Sequence, residues 1–290
     1  MHLYGVIGKP LTHSLSPALH NWGFARSGHL GTYLTWEKNA EDLPAFFAAV
    51  RSLPIAGLSV TIPHKEAVIP FLDDLTPRAR AVGAVNLVYW EQWEERERLL
   101  GDNTDVAGFL APLQTLREAG KTLPPRALLL GAGGAARACL TGLSELGIAD
   151  VWITARTAEK AEALARDFGC QALPWENREK SLAERGPALV INATPLGMAG
   201  EFAGQSPLPN LGATAADAGA ASCPPAWIIY DTVYNPSHTP LLNAARALGM
   251  TCANGLDFFV AQAQEQFRRW TGSELPGAAA RELILGLLKK

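Results

Sequence analysis

Ala127-Leu128-Leu129-Leu130, running straight into Gly131-Ala132-Gly133-Gly134-Ala135-Ala136, decides the fold of this chain. Apolar residues in so short a run read equally as strand or buried helix. The glycine loop that stops them, and the helix-compatible run that follows to about Leu146, make the unit strand, loop and helix. Val151 to Thr154 supplies a second strand, completing a βαβ unit with short connections. In that setting the spacing of Gly131, Gly133 and Ala136 is a dinucleotide fingerprint. Gly131 permits the tight turn, and Gly133 lets the backbone approach a pyrophosphate resting on the free N–H groups of the helix start. Gly134 adds a further position without a side chain. Away from such a strand and helix, the same glycines are an ordinary α/β connection.

Downstream, the second strand ends Thr154-Ala155-Arg156-Thr157, with Lys160 one turn on and no acid at the tip. An NAD site places Asp or Glu there for the ribose 2′-hydroxyl. A guanidinium suits a 2′-phosphate instead, so the expectation is NADP. Solvated surface charge is the plainer account of Arg156 and Lys160 taken singly. A helix follows from Thr157 as N-cap to just before Gly169, then strands at Leu189 to Asn192 and Trp227 to Asp231. Asn210 to Pro225, rich in Ala, Gly and Ser, reads as a mobile insertion. Helices from about Phe258 to Trp270 and Gly277 to Leu288 close the chain.

Upstream, strand and helix alternate again, the sign of an α/β layer. Leu3 to Ile7 reads as a strand, and Ala18 to Ser27 as a helix with Ser16 at the N-cap and Pro17 at its first position. Asp42 to Arg51 reads as a second helix with Phe46, Phe47 and Val50 on one face. Gly57 to Pro63, Ala84 to Trp90 and Leu99-Leu100 read as strands, with the charged stretch Glu91 to Arg98 as a hairpin tip. A helix from Val106 to Leu116 leads to the Pro124-Pro125 break. Polar residues recur at the strand ends: Ser14 and Ser16, Thr61 and Lys65, Asn86, and Gly101-Asp102-Asn103-Thr104-Asp105. Two hydroxyls and backbone donors before a helix can meet a carboxylate. Capping accounts for Ser16 or Asp105 taken alone.

The chain has 290 residues, 48% hydrophobic and 18% charged, with a net charge of −3. That composition builds a sizeable core and offers no basic stripe for nucleic acid. The four cysteines, Cys139, Cys170, Cys223 and Cys252, are widely spaced and read as small core residues. No metal motif or GxSxG elbow occurs, no apolar run is long enough to span a membrane, and the first residues do not read as a signal peptide. A cytoplasmic protein, monomer or homodimer, is expected.

Taken together, these motifs resemble the shikimate/quinate dehydrogenase family nearly end to end. The resemblance rests on Ser14-Leu15-Ser16-Pro17, Val60-Thr61-Ile62-Pro63-His64-Lys65, Gly83-Ala84-Val85-Asn86 and Gly101 to Asp105. It continues through Gly131 to Ala135, Asn192-Ala193-Thr194-Pro195-Leu196-Gly197-Met198, Tyr230-Asp231-Thr232-Val233-Tyr234 and Gly255 to Gln262. It implies NADPH-dependent, reversible reduction of 3-dehydroshikimate to shikimate, a step toward chorismate and the aromatic amino acids. Lys65 and Asp105 then form the catalytic pair. Ser14, Ser16 and Tyr234 bind the substrate carboxylate, and Thr61, Asn86, Asp105 and Gln262 meet the ring hydroxyls. Gly131, Ala132, Gly133, Gly134, Ala135, Arg156 and Thr157 match the cofactor phosphate contacts, Ala155 and Lys160 complete the cofactor-binding set, and Thr232 and Gly255 line the nicotinamide. The implied architecture is an α/β catalytic domain at 1–105, a linking helix at 106–123 and a Rossmann-type NADP-binding domain with a parallel sheet at 124–255. Helices at 256–290 return to the first domain.

Four departures from the family pattern stand out. Ser59 replaces a usual Asn that contacts substrate hydroxyls, Val106 a usual Gly, Ala155 a usual Asn, and Asp257-Phe258 the common Gly-Met. Ser59 motivates a second reading, a quinate/shikimate dehydrogenase with broader substrate and NAD use. A catalytically silent ligand sensor on the same scaffold is the reading from another class.

Overall fold

The computed structural model describes residues 2–186, 188–218 and 227–289, and they fall into two compact units. The first unit comprises residues up to Val106 together with Val260 onward; the second is Ala107–Phe259.

The first unit carries, in chain order, β1 (His2–Gly8), α1 (Ser16–Ser27), β2 (Gly31–Glu37), α2 (Leu43–Val50) and β3 (Ile55–Val60). Then come β4 (Asp74–Leu75), α3 (Pro77–Val82), β5 (Leu87–Trp93) and β6 (Arg96–Asp102), and α4 (Asp105–Glu118) starts here. The strands form one mixed sheet in the order β2-β1-β3-β5-β6-β4. β1 runs parallel to β2 and β3, whereas β3, β5 and β6 are antiparallel in turn. Strand periodicity splits the two faces. Ile7 faces a cluster with Phe47, Val50, Leu58 and Val88, while Tyr4 packs against Trp270 at 5.3 Å between ring centroids.

Several sequence expectations need correction here. Ser16 is not the N-cap of α1: the cap position is Leu15, which makes no side-chain cap bond, and Ser16 is itself the first helical residue. β5 starts at Leu87 rather than Ala84: Val85 N–H bonds the Lys65 carbonyl, in the turn after β3, instead of a ladder partner. The hairpin tip is shorter than Glu91 to Arg98. Glu91 pairs with Arg98 across the ladder, and the Arg98 guanidinium lies 5.3 Å over the Trp93 ring. Opposite charges facing each other and a cation on an aromatic face sustain a strand with water on both sides. β2 was not foreseen; as an edge strand it buries only Tyr33 and lacks a clear alternation.

The second unit carries β7 (Arg126–Leu130), α5 (Gly134–Glu145), β8 (Asp150–Thr154), α6 (Ala158–Phe168), β9 (Gln171–Leu173), α7 (Arg178–Arg185) and β10 (Leu189–Asn192). It continues with α8 (Leu211–Asp217), β11 (Ile228–Asp231), α9 (Pro240–Ala247), β12 (Thr251–Ala253) and the start of α10 (Gly255–Thr271); α11 (Gly277–Leu288) belongs to the first unit. The sheet order is β12-β11-β10-β7-β8-β9, parallel throughout. Read from the other edge this is the doubly wound 3-2-1-4-5-6 order, whose strand order reverses between β7 and β10. Fully buried Trp227, Leu130, Val190, Ile229 and Leu241 fill part of its core.

Asn210 to Pro225 is not simply a mobile insertion. Leu211–Asp217 is a helix, with Leu211, Thr214 and Ala215 buried at helical spacing. Residues 219–226, and Cys223 with them, lie outside the described residues. Of the other cysteines, Cys139 is buried and Cys170 and Cys252 are half-buried.

Candidate functional site

In the first unit, the turn after β3 and the β6–α4 turn meet. Lys65 Nζ donates to Asp105 Oδ2, with the two side chains 13% and 4% exposed. Asp105 Oδ1 accepts the Asn86 amide at 2.8 Å. Asn86 Oδ1 in turn accepts the Thr104 N–H at 2.6 Å. Asp105 is the first residue of α4, where helix dipoles favour a carboxylate. Asn103 supports it, accepting the Asp105 N–H at 3.0 Å and donating to the Ala84 carbonyl at 2.8 Å. The Lys65 carbonyl accepts the Val85 N–H at 2.7 Å. Residues 84–86 therefore brace both halves of the ion pair.

Asp102, in the same polar turn, has a different task. Arg78 grips it with Nε at 3.1 Å and Nη2 at 2.8 Å, and the Thr76 hydroxyl donates at 2.6 Å. Burial pushes its carboxyl up, but those bonds outweigh burial and hold it below the usual value. Thr61 bonds through its N–H to the Ile7 carbonyl at 2.9 Å, and its methyl packs where Gly8 has no side chain. A Cβ at Gly8 would lie 2.4 Å from Thr61 Cγ2. Ser14 Oγ accepts the Ser16 N–H at 3.4 Å, while Gln262 is nearly buried on α10. An ammonium held by an anchored carboxylate is a charged, oriented proton donor beside groups that bind hydroxyls.

In the second unit, Gly131 leaves β7 with φ +113°, and a Cβ there would lie 2.8 Å from the Ala193 carbonyl oxygen. Gly133, the cap of α5, is exposed, and a Cβ on it would meet nothing within 4 Å. The helix start thus presents open backbone at the point where the strand order reverses, which suits a dinucleotide phosphate. At the β8 tip Ala155 is buried, whereas Arg156, Thr157 and Lys160 are exposed. Thr157 occupies the α6 cap position without a side-chain cap bond. Gly255 abuts Thr232, where an added Cβ would come 2.3 Å from the carbonyl oxygen, and Tyr234 stacks on Phe259 at 4.3 Å.

Comparison with known proteins gives this geometry its family. Residues 6–88 match the model for the shikimate dehydrogenase substrate binding domain, and residues 116–195 that for shikimate / quinate 5-dehydrogenase. The shikimate dehydrogenase (NADP(+)) of Oleidesulfovibrio alaskensis is 48% identical over 286 residues, covering 99% of this chain and 95% of that protein. The chain belongs to the shikimate dehydrogenase family. Solved members include shikimate 5-dehydrogenase from Thermus thermophilus in complex with NADP(H) and shikimate, 37% identical, with a TM-score of 0.79 and 99% of each chain covered. Quinate dehydrogenase from Corynebacterium glutamicum in complex with NAD is 29% identical, with a TM-score of 0.83, 98% of this chain and 99% of that one being covered. Backbone likeness therefore does not separate shikimate from quinate enzymes within the shikimate dehydrogenase family.

One buried group went unread in the sequence. The parallel register sets Asn192 opposite Asp231 at the carboxyl ends of β10 and β11. Asp231 accepts the Asn192 amide at 2.9 Å, the Val233 N–H at 3.0 Å and the Thr239 hydroxyl at 2.6 Å. Burial outweighs these bonds and raises its carboxyl to about 6. A folded value above the ordinary carboxylate value gives stability that is full below the unfolded value and lost as pH rises through about 6. Asp231→Asn, which needs no ionisation, is expected to remove that pH dependence. Urea midpoints between pH 4 and 7 check it.

Proposed function

We propose that this chain interconverts 3-dehydroshikimate and shikimate with NADP through Lys65 and Asp105. The observation that carries the reading is their braced ion pair, in a chain 48% identical to an NADP-dependent shikimate dehydrogenase. Bound in its reduced form, NADPH would supply the hydride for reduction, and the oxidised form, NADP+, would accept it in the reverse direction. As the substrate carbonyl becomes an alcohol, the Lys65 ammonium gives a proton to its oxygen, and it takes the proton back in the reverse direction. The ammonium also stabilises negative charge developing there. Asp105 keeps Lys65 aimed and accepts a hydrogen bond from a substrate hydroxyl. Ser14 and Ser16 meet the substrate carboxylate, and Thr61, Asn86 and Gln262 the ring hydroxyls.

The open backbone at Gly133 and the acid-free β8 tip fit NADP. Arg156 takes the 2′-phosphate, supported by Thr157 and Lys160. Arg156→Gln is expected to lower kcat/KM for NADP by about 10- to 100-fold, the worth of a hydrogen bond to a charged group. Values with NAD should stay within about twofold. Steady-state kinetics with both cofactors check this, and an equal loss with each would contradict the assignment. Among the described residues no helix is long and apolar enough to cross a membrane. A cytoplasmic enzyme acting as monomer or homodimer completes the reading.

A further inference from the structure

Ser59, one of the four departures from the family pattern, is buried, and its surroundings show what its hydroxyl does. Tyr33 OH donates to Ser59 Oγ at 2.6 Å, and Ser59 Oγ donates to Gln266 Oε1 at 2.5 Å. Gln266 Nε2 then donates to the Asn86 carbonyl at 3.1 Å and lies 3.4 Å from Thr104 Oγ1. Asn86 bonds Asp105 directly and also accepts the Thr104 N–H, which ties down the turn before Asp105. Gln266 is 2% exposed, and both ends of its amide are engaged. On α10 it stands one turn beyond Gln262, on the same face. The far end of the chain of bonds is fixed as well, since Asn21 clasps both backbone groups of Tyr33 at 2.8 and 2.9 Å.

We propose that Gln266 is a positioning residue, which locks Asn86 and Thr104 and thereby holds Asp105 and Lys65 in register. Ser59 and Tyr33 fix the orientation of its amide. The donors all point one way, Tyr33 to Ser59 to Gln266 to Asn86, so the amide cannot flip without breaking both of its bonds. Ser59 thus serves the protein's own framework through this bond. The inference rests on the catalytic reading of Lys65 and Asp105.

Gln266→Glu tests it. A protonated carboxyl can still accept from Ser59 and donate to the Asn86 carbonyl, whereas a carboxylate sets an oxygen against that carbonyl and loses the donor. Ionisable or charged groups surrounding the position are Tyr33, Lys65 and Asp105, with His20 of α1 stacked on Tyr33 and Asp102, Arg78, Arg269 and Glu265 on the adjoining face. With shikimate and NADP, Gln266→Glu should approach wild-type kcat at the acid end of the profile. It should then lose about tenfold as pH rises through the new carboxyl's titration, a limb the wild type lacks. Gln266→Leu should be lowered about tenfold at every pH, with KM for NADP unchanged. A wild-type kcat and profile in the Glu variant, with only the melting temperature lowered, would overturn the proposal even if the Leu variant failed to fold. Lys65→Met, measured beside them, separates the two ideas. Lost turnover there with unaltered Gln266 variants removes only the positioning role, whereas retained turnover removes the catalytic reading and the inference with it.

Discussion

Lys65→Met should lower kcat for shikimate oxidation by on the order of 10³-fold, within the range that general acid–base groups contribute, while shikimate affinity stays within a few-fold. The methionine keeps most of the side-chain length and removes the group that gives and takes the proton. Asp105 retains its bond from Asn86 at 2.8 Å, so the hydroxyl-binding surface persists. Removing one member of a mostly buried pair also destabilises the fold, which makes a melting curve a necessary control. Single-turnover kinetics and direct titration with shikimate read the two quantities separately. Affinity lost with kcat unchanged would make Lys65 a binding residue.

The second large effect concerns stability. His20 on α1 is fully buried, its ring 4.5 Å from Tyr33 and 5.2 Å from Trp270 between centroids, and burial lowers its pKa to about 3. The unfolded chain therefore takes up a proton there that the folded chain refuses. Between pH 6.5 and about 3 stability falls with pH by roughly 1.4 kcal/mol per unit, and by about 2 kcal/mol at pH 5 relative to pH 7. Asp231 acts in the opposite sense over part of that window, so the wild-type curve alone does not isolate His20. His20→Leu, of nearly equal volume, should abolish the His20 component whatever its offset at neutral pH. Chemical denaturation of both proteins at pH 5, 6 and 7 measures the difference. Parallel curves for the two would show that His20 does not remain neutral.

The sequence disclosed the parallel-sheet unit readily because its signals are local: an apolar strand, spaced glycines and a helix within one short stretch. Elements whose character depends on distant packing were harder to see. β2 is an edge strand with little alternation, and α8 hides its three buried positions in an Ala- and Gly-rich stretch. The hairpin stem looked like loop because it is charged and exposed, and the partner of Glu91, Arg98, comes from across the ladder. For the site, Lys65 and Asp105 are separated by the whole β5–β6 hairpin, so only the resemblance to a known family paired them. The bonds of Gln266 and of the Asn192–Asp231 pair carried no local signal, because their partners are distant in the chain.

The central claim is oxidation of shikimate with NADP at the Lys65–Asp105 pair. Its most direct test is the initial rate of NADP reduction by the wild-type chain with shikimate, run beside quinate with NADP and shikimate with NAD. The account predicts that shikimate with NADP exceeds each alternative by about tenfold or more, as a charged 2′-phosphate contact and hydroxyl-reading groups require. Preference for quinate, or shikimate bound without reduction of either nicotinamide, would contradict it.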